Sequence, residues 1–415
     1  MRQGLFGLVF VWLGVSLCIS AAEYVGTNNC IECHQTQYQQ WQGSHHDMAM
    51  RHADKQSILG DFANASLEFA GKTNRFFRKG AEYWVNIEGL NGEFSDYQIT
   101  YTFGFEPLQQ YMVEFADGRV QLIPFAWDSR SKQQGGQRWF HLYPNQQKTD
   151  EFYWTNAGQN WNYMCADCHS TNVRKNYSEE NHSYTTKYAL INVSCEACHG
   201  PGKSHVSRVE ALGDQYKRDN SLQMTYDTAP KDLVDKCARC HMRREQFSKN
   251  YNYEGTLLDH YFPQLITEPI YHADGQILDE VYVYGSFVQS KMYQKGVTCT
   301  NCHDAHTTKL KFDGNKLCYQ CHNQKTYNNK KHHFHQLNTE GSKCINCHMT
   351  GKYYMGNDFR RDHSFRIPRP DLSVKYNTPN ACNGCHKNKD SKWASSAFKK
   401  MFGNVDSIHF SEKLI

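Results

Sequence analysis

Sixteen of the seventeen cysteines in this 415-residue chain belong to eight Cys-x-x-Cys-His motifs. In such a motif two thiols can bond to the vinyl groups of one porphyrin, and the adjacent imidazole can become an axial ligand of its iron. Zinc sites and disulfides also use paired cysteines, but neither needs a histidine after every second cysteine. The sequence therefore predicts eight covalently bound haem c groups. Numbered in chain order, the motifs are Cys30/Cys33/His34, Cys165/Cys168/His169, Cys195/Cys198/His199, Cys237/Cys240/His241, Cys299/Cys302/His303, Cys318/Cys321/His322, Cys344/Cys347/His348 and Cys382/Cys385/His386.

Each haem iron needs a sixth ligand or an open position, and fourteen of the 22 histidines lie outside the motifs. A histidine on a polar loop is by default solvated, so local context has to select the candidates. His45 is a near alternative to His46, and Met48 or Met50 could ligate instead and would raise the potential. Because histidine is abundant, we expect bis-histidine ligation. The candidate distal ligands are His46, His205, His306, His363, His272 and His333.

Three of these candidates have an informative neighbourhood. His205 follows motif 3 in the run Cys-His-Gly-Pro-Gly-Lys-Ser-His, where the Gly-Pro-Gly turn can redirect the chain so that this imidazole reaches a neighbouring iron. His306 lies three residues after His303, and one helical turn at that spacing would point both imidazoles in similar directions, toward two adjacent haems. His363 has arginines beside it that could pair with haem propionates or could simply face solvent.

His141 is far in sequence from any motif, in the run Gly-Gly-Gln-Arg-Trp-Phe-His-Leu-Tyr-Pro. It could be a distal ligand, an acid or base above an open haem, or a buried histidine satisfied by hydrogen bonds. Together with Tyr143 and Arg138 it could protonate a small oxyanion. These three residues are the candidate catalytic group, and the sequence leaves the alternatives open.

The amino-terminal segment has the features of an export signal. Arg2 precedes an apolar run from Leu5 to Leu17, and small residues follow at positions 20–22, which predicts a cleaved signal peptide over residues 1–22. No later apolar run is long enough to cross a membrane. The formal net charge is +4, and no basic run is suited to follow nucleic-acid phosphates. We expect a periplasmic or extracellular protein with neither a membrane span nor a nucleic-acid partner.

The spacing of the motifs indicates which elements position them. After motif 1 come 130 residues without another motif, whereas the other seven fall between Cys165 and His386. In this gap residues 36–63 read as a polar helix, and aromatic and β-branched runs beyond it predict strands. The predicted strands cover residues 75–88, 97–103, 110–115 and 119–127, with hairpin turns at Asn91-Gly92 and Asp117-Gly118.

Further along, residues 269–284 read as a hairpin around Asp274-Gly275, and residues 380–401 read as helical with Trp393 and Phe398 buried. The predicted fold is a multihaem cytochrome c fold, made mainly of short helices and long loops around a haem stack, with a small β insertion. The predicted divisions are residues 1–22 as signal peptide, 23–63 as a first haem-binding segment, 64–164 as the β-rich insertion, and 165–415 as a domain carrying seven haems.

The motifs also carry a family resemblance. The eight motifs, the Cys-His-Gly-Pro-Gly-x-x-His run and the close spacing of motifs 5 to 7 resemble the group of hydroxylamine oxidoreductases, octahaem nitrite and tetrathionate reductases, and the tetrahaem carrier of nitrifiers. The segments 162–170 and 362–368 look most like its uncharacterised branch described by a doubled Cys-x-x-Cys-His domain. The reductases of this group use a lysine on the catalytic iron, often from Cys-x-x-Cys-Lys, and this chain has no such motif. The oxidoreductases use a crosslinked tyrosine, and none of the 26 tyrosines can be nominated.

Two classes of function follow. The first, which we favour, is electron transfer through bis-histidine haems between respiratory donor and acceptor proteins. The second is an oxidoreductase in which one open haem acts on a small nitrogen or sulfur compound of the nitrite, hydroxylamine or tetrathionate class. The expected partners are redox proteins, with a small-molecule donor or acceptor in the second case. Assembly into oligomers or haem filaments remains open, because a neighbouring subunit could contribute ligands.

Overall fold

The computed structural model describes residues 23–218, 221–248 and 251–404. The predicted signal peptide and His409 lie outside these described residues. The largest regular unit is an eight-stranded antiparallel sheet, in which β2 to β8 pair in sequence order and β1 joins at β5. The strands are β1 Met50–His52, β2 Ala65–Phe69, β3 Lys72–Lys79, β4 Glu82–Glu88, β5 Phe94–Phe103, β6 Leu108–Glu114, β7 Val120–Asp128 and β8 Arg138–His141.

Aromatic side chains form the core of this sheet. Along β4 buried residues alternate with more exposed ones, as expected when one face packs inward, whereas β6 is buried on both faces up to its last residue. Phe76 of β3 stacks on Trp139 of β8 with ring centroids 3.7 Å apart. Phe69 of β2 stacks on His141 of β8 at 4.1 Å, so the sheet curves until its first and last consecutive strands meet.

The prediction of a fold made mainly of helices with only a small β insertion was wrong. The sheet is a major layer of the molecule, and strands over 97–103, 110–115 and 119–127 are confirmed as β5, β6 and β7. The predicted strand over 75–88 is two strands, because Gly80 takes φ +63° between them. Both predicted turns are confirmed, with Gly92 at φ +81° and Gly118 at φ +76°.

Local patterns failed where a distant partner decided the structure. The predicted helix over residues 36–63 reduces to the α-helix Gln35–Trp41 and one 3-10 turn at Asp47–Ala49, because Met50–His52 pairs with Tyr101–Phe103 as β1. The predicted hairpin over 269–284 reduces to a single bridge between Tyr271 and Ile277. The carboxyl-terminal helical prediction is confirmed by two helices, although Trp393 and Phe398 are only half-buried.

The rest of the described chain consists of short elements joined by loops. The helices are α1 Asn28–Ile31, α2 Gln35–Trp41, α3 Trp161–Met164, α4 Ala166–His169, α5 Cys195–His199, α6 Lys203–Leu212, α7 Pro230–His241, α8 Tyr284–Val288, α9 Lys291–Gln294, α10 Cys299–Cys302, α11 Lys316–Tyr319, α12 Gln324–Tyr327, α13 Lys330–His333, α14 Cys344–His348, α15 Pro370–Tyr376, α16 Ala381–Cys385 and α17 Ser391–Phe402. Across the described ranges, no helix combines the length and the apolar character that a membrane span requires.

Three small hairpins complete the fold: β9 Tyr177–Ser178 with β10 Ser183–Tyr184, β11 Arg244–Gln246 with β12 Tyr261–Pro263, and β13 Gly351–Tyr354 with β14 Asp358–Arg361. The β13–β14 hairpin docks on the large sheet. Its Asn357 amide donates to the Pro107 carbonyl at 3.0 Å. At its tip, Gly356 has φ +80° and so little space that a Cβ would lie 2.9 Å from the Phe140 ring. The sheet and the motif-bearing segments therefore pack together here.

Candidate functional site

Every motif lies on a short helix or directly beside one. In α5 and α14 the helix covers the whole motif, and in α10 it covers the two cysteines. Residues three apart on a helix project from the same face, so one turn presents both thiols to one side and the histidine one residue later beside them. This local geometry is what attachment of one porphyrin at two points requires.

Cys33 of motif 1 agrees least with its predicted role in haem attachment. It is exposed, as are Cys321 and Cys385, whereas the other motif cysteines are half-buried. The physical reason is local, because α1 ends at Ile31 and leaves Cys33 in the turn beyond it. The His34 N–H still donates to the Cys30 carbonyl at 2.9 Å, so the motif keeps one helical turn. The protein thus encloses the first thiol of motif 1 but not the second, and the bond from Cys33 to a porphyrin stays a prediction.

Six motif histidines each face a histidine from outside the motifs. The ring centroids of the six pairs are 6.1 to 6.4 Å apart, although the partners come from distant segments of the chain. We call them the opposed pairs. They are His34 with His205 at 6.3 Å, His241 with His46 at 6.2 Å, His199 with His306 at 6.4 Å, His303 with His363 at 6.4 Å, His348 with His332 at 6.1 Å and His386 with His335 at 6.2 Å.

The separation of the opposed pairs fits an iron between the two rings. A metal–imidazole bond is about 2 Å long, and a ring nitrogen lies roughly 1.1 Å from its ring centre, so two axial imidazoles on one metal have centroids about 6.3 Å apart. Direct stacking of two histidine rings would bring them closer, as Phe69 and His141 show at 4.1 Å. The residues present therefore fit a haem iron with two histidine ligands at six motifs.

Burial keeps several of these imidazoles neutral, which is the form that binds a metal. Burial lowers the pKa of His241 to about 4, and the nearby His46, His169, His303 and His363 act in the same direction. It also lowers the pKa of the outside partners His46 and His363. Protein contacts orient some rings as well: His363 Nδ1 lies 2.9 Å from the Arg361 carbonyl.

Four predicted distal candidates, His46, His205, His306 and His363, each stand opposite a motif histidine of another segment. Ring contacts among the described residues place neither His272 nor His333 in this position. His272 is instead in a turn, where its N–H donates to the Gln276 carbonyl at 2.8 Å.

The neighbours of His333 take the role that the sequence analysis assigned to it. His332 faces His348, and His335 faces His386. The chain reverses between them because Phe334 ends α13 with φ +57°, in the left-handed region. His306 also differs from expectation, because α10 ends at Cys302 and none of the described helices carries His303 and His306 together. The two imidazoles still belong to different opposed pairs, since His306 faces His199 of motif 3 and His303 faces His363.

Motif 2 has a different environment. The ring of His169 packs against Phe103, with centroids 4.1 Å apart, and burial lowers the pKa of His169 to about 4. No imidazole of the described residues faces it as in the opposed pairs. Tyr143 and Tyr282 lie close enough to Cys165 for its charge to raise their pKa values, although burial is the larger cause for both.

A polar cluster surrounds these two tyrosines. Arg360 of β14 pairs with Glu280 and, at 2.6 Å, with Asp358, and its guanidinium lies 5.5 Å from the Tyr354 ring centre. Tyr282 exposes 45 % of its surface, yet burial raises its pKa. Sequence reasoning missed Tyr282 and Arg360, since segments far apart in the chain bring them together.

The other two candidate catalytic residues lie on β8. His141 is enclosed between Phe69 and Phe125, and burial lowers its pKa to about 4. His141 and Tyr143 both line a cavity of about 10 Å³. Arg138 is exposed, and its guanidinium lies over the Phe140 ring. Of the candidate catalytic group, only Tyr143 lies near a motif.

Motif 6 is one of three motifs, with motifs 1 and 8, whose second cysteine and histidine are both exposed. His322 and Cys321 are both exposed, and an open pocket of about 540 Å³ is lined by residues 319–325. Among the described residues the ring next to His322 is that of Tyr327, at 5.6 Å and nearly perpendicular. Tyr327 in turn lies 5.1 Å from His332, the partner of His348 in motif 7.

Cysteines of different motifs approach one another and define their order in space. Thiols interact between motifs 1 and 3 (Cys30 and Cys195), 2 and 4 (Cys168 and Cys240), 4 and 5 (Cys237 and Cys299), and 6 and 7 (Cys318 and Cys344). Weaker interactions connect 3 with 4, 5 with 6, and 7 with 8. The motifs thus follow the path 1-3-4-5-6-7-8, and motif 2 lies beside motif 4.

Buried ionic contacts hold neighbouring motifs together. Asp167 lies inside motif 2 and forms ion pairs with Arg239 of motif 4 at 3.4 Å and with Arg244 at 2.5 Å. Its carboxylate also accepts a hydrogen bond from the Tyr261 hydroxyl at 3.0 Å. Burial opposes ionisation of Asp167, but the two arginines outweigh it and lower its pKa. The opposite charges inside Cys-Ala-Asp-Cys and Cys-Ala-Arg-Cys were the signal in the sequence that could have revealed this contact.

Glu196, inside motif 3, ties the beginning of the described chain to that motif. Its buried carboxylate accepts hydrogen bonds from the backbone N–H groups of Val25 at 2.9 Å, Gly26 at 2.8 Å and Gly202 at 2.8 Å. Gly202 closes the Gly-Pro-Gly turn and immediately precedes α6, the helix that carries His205. One side chain therefore fixes the approach to motif 1 and the turn that leads to its facing histidine.

Comparison with known proteins agrees with this geometry. The family described as "Cytochrome c554 and c-prime" matches residues 29–72 and 126–200, and the family described as "Doubled CXXCH motif" matches residues 291–327, which include motifs 5 and 6. A search of curated proteins found no match.

Two solved structures are similar to the chain. The crystal structure of the outer cell wall cytochrome OcwA has a TM-score of 0.59 at 16 % identity, over 91 % of this chain and 86 % of that one. An undecahaem cytochrome from the S-layer of Carboxydothermus ferrireducens has a TM-score of 0.48 at 16 % identity, over 92 % of this chain and 60 % of that one. The first likeness identifies the fold as that of a multihaem cytochrome.

Proposed function

We propose that this chain, a multihaem c-type cytochrome that binds haem c covalently through its Cys-x-x-Cys-His motifs, transfers electrons between respiratory donor and acceptor proteins. The observation that carries the proposal is the set of six opposed pairs, each 6.1 to 6.4 Å between ring centroids. Haem supplies a one-electron Fe(III)/Fe(II) couple. Two fixed imidazoles per iron leave no position for a substrate, and they hold the ligand set constant while an electron comes and goes.

The site residues follow from the same geometry. We propose one haem per motif, hence eight, with the eight motif histidines as proximal ligands and both cysteines of each motif as attachment points, the exposed Cys33 included. The proposed distal ligands are His205, His306, His46, His363, His332 and His335, for motifs 1, 3, 4, 5, 7 and 8 respectively. The continuous contact path through motifs 1-3-4-5-6-7-8 supports conduction along the chain. Membership of the hydroxylamine oxidoreductase group is part of the proposal and rests on the motif pattern.

The proposed location is outside the cytoplasm, in the periplasm or at the cell exterior. The signal-like residues 1–22 support it. The similar solved structure OcwA is an outer cell wall cytochrome. We also retain the proposed division into a first haem segment, a β-rich unit over residues 64–164 and a seven-haem domain from residue 165.

Spectropotentiometry of the purified holoprotein tests the electron-transfer proposal. We expect eight haems per chain by haem-to-protein ratio and reversible one-electron titration without loss of signal. We expect no steady-state consumption of nitrite, hydroxylamine or tetrathionate in the presence of a chemical electron donor. Sustained turnover of one of these compounds would contradict electron transfer as the main function.

A second candidate function is supported by motif 2. Its His169 packs against Phe103 rather than facing an imidazole, and Tyr143, Tyr282 and Arg360 provide hydroxyl and guanidinium groups on the side of Cys165. Such groups can hold a small nitrogen or sulfur oxyanion and pass protons to it. This candidate is an oxidoreductase with one open iron.

Spectral titration with cyanide, nitrite and hydroxylamine separates the two candidates. If motif 2 binds substrate, one haem should change its spectrum, and Tyr282→Phe should weaken nitrite binding several-fold because it removes a hydroxyl donor. Tyr97→Phe, in the large sheet, is the matched control. A titration in which motif 2 binds none of the three ligands would remove the second candidate.

A further inference from the structure

We propose that the exposed surface around motif 6 is the docking site for an acidic one-electron carrier protein; this inference rests on the proposed electron-transfer function. The surface, here called the lysine surface, is carried by the segment on either side of His322 in the chain, which contains six lysines, and one of them, Lys325, lines the pocket beside His322. They are Lys309, Lys311, Lys316, Lys325, Lys330 and Lys331.

The charge of this surface is uncommon for the chain. Over residues 305–339 these six lysines are accompanied by one acidic residue, Asp313, so the excess of positive charge there is larger than the net +4 of the whole chain. All six lysines are exposed, and no described carboxylate lies within 4.0 Å of their ammonium groups. Some lysines elsewhere do have such a partner, as Lys79 has in Asp96 at 2.9 Å. The positive field around motif 6 is therefore left for a partner.

The same surface gives access to a redox centre. His322 and Cys321 are exposed, and the open pocket of about 540 Å³ that they line also includes Lys325. A docked protein would lie directly against the porphyrin held by motif 6. Clusters of one charge sign raise the rate at which an oppositely charged partner associates by about 10-fold to 1,000-fold, and salt reduces the effect.

Aromatic and imidazole rings continue inward from this entry point. His322 lies 5.6 Å from Tyr327, Tyr327 lies 5.1 Å from His332, and His332 faces His348 of motif 7. The thiols of motifs 6 and 7 also interact through Cys318 and Cys344. With a haem held by Cys318, Cys321 and His322, one electron would pass from the reduced centre of the partner, which would be oxidised, to a ferric iron there, and motif 7 would be the next site; no proton or atom would be transferred. An acidic carrier fits because its carboxylates would pair with the six ammonium groups.

Stopped-flow reduction of the oxidised holoprotein tests the inference with two donors. The first donor is reduced plant-type ferredoxin, a small acidic protein, and the second is photoreduced lumiflavin, a small uncharged carrier. The test variant carries Lys325→Glu, Lys330→Glu and Lys331→Glu together. The matched control carries Lys55→Glu, Lys132→Glu and Lys217→Glu, three exposed lysines outside the lysine surface.

We expect the test variant to react at least 10-fold more slowly with ferredoxin at low salt and to lose the wild-type fall of the rate with rising salt. The control should stay within about two-fold of the wild type, and the lumiflavin rate should be the same for all three proteins. A milder variant with Lys→Gln at the same three positions should give an intermediate rate with ferredoxin.

Several results would overturn the inference. An unchanged rate of reduction by ferredoxin in the test variant would do so. An equal fall in the rate of reduction by both donors would also do so, because it would place the effect in the redox centre itself. Salt-sensitive self-association in the wild type that the test variant abolishes would assign the surface to a second copy of the chain. Failure of the wild type to accept electrons from either donor would instead refute the electron-transfer function.

Discussion

At the scale of single residues, the chemistry depends on which imidazole reaches which motif. His205 lies six residues after the motif 3 histidine, yet it faces His34 of motif 1 across 6.3 Å. The sequence predicted that the Gly-Pro-Gly turn would send it to a neighbouring motif, since this turn has a local cause. It nominated His333, whereas His332 and His335 face the motifs, because the outcome depends on the left-handed backbone at Phe334, where only the tertiary fold offsets the conformational cost.

His205→Met tests the proposed ligation of motif 1. A thioether stabilises ferrous iron better than an imidazole does, so one haem should shift to a higher potential and change its low-spin spectrum. Redox titration followed by visible absorption and electron paramagnetic resonance measures both effects. His272→Met is the matched control and should leave all potentials unchanged, since His272 lies in a turn and no ring contact among the described residues places it opposite a motif histidine. An unaltered spectrum in His205→Met would refute the assignment.

Glu196→Ala tests how a single carboxylate positions a ligand. Its loss would leave the N–H groups of Val25, Gly26 and Gly202 without their acceptor and would loosen the turn before His205. We expect the motif 1 haem to become heterogeneous in spectrum and potential while the other haems stay unchanged. Glu196→Gln should rescue most of the wild-type signal, because its amide oxygen can still accept. A uniform change in all haems would mean that Glu196 acts on general stability instead.

At the scale of elements, periodicity predicted β5, β6 and β7 well, because alternating and continuous apolar runs each have a direct meaning in a sheet. It underestimated the sheet as a whole. The strand β1 forms only through pairing with β5, about 50 residues away. The turn at Gly80 that separates β3 from β4 is not detected when the residue pattern is averaged over the whole segment 75–88. The motif pattern indicated where the short helical turns lie, whereas their mutual packing depended on side chains inside the motifs.

Asp167→Ala tests the ionic contact between α4 and α7. Removing the carboxylate would leave Arg239 and Arg244 uncompensated, with side chains only 6 % and 9 % exposed. Breaking a buried pair in this way costs about 3 to 5 kcal/mol. Thermal unfolding followed by circular dichroism should show a clearly lower midpoint.

Asp117→Ala, at the exposed pair with Arg119, provides the comparison for Asp167→Ala. The Asp117 and Arg119 side chains are 33 % and 26 % exposed, so the free energy of unfolding should fall by less than about 1 kcal/mol. Equal midpoints for the two variants would mean that the contact between motifs 2 and 4 adds no stability.

At the scale of the whole molecule, the opposed pairs join segments that are distant in the chain. His46 near the beginning faces motif 4, and His363 near the end faces motif 5. The number of motifs and the number of available histidines could be read from the sequence. The path 1-3-4-5-6-7-8 and the position of motif 2 beside motif 4 depend on the tertiary fold. Motifs 2 and 6 differ from the other six because no imidazole of the described residues faces their histidines; His169 lies beside Phe103 and His322 beside Tyr327.

Quantitative electron paramagnetic resonance of the fully oxidised holoprotein, with and without cyanide, tests the central claim most directly. The opposed pairs predict low-spin signals that integrate to at least six haems per chain and do not change when cyanide is added. Any responding haem should belong to motif 2 or motif 6. Fewer than six unresponsive low-spin haems would contradict bis-histidine ligation at the opposed pairs and, with it, the electron-transfer account.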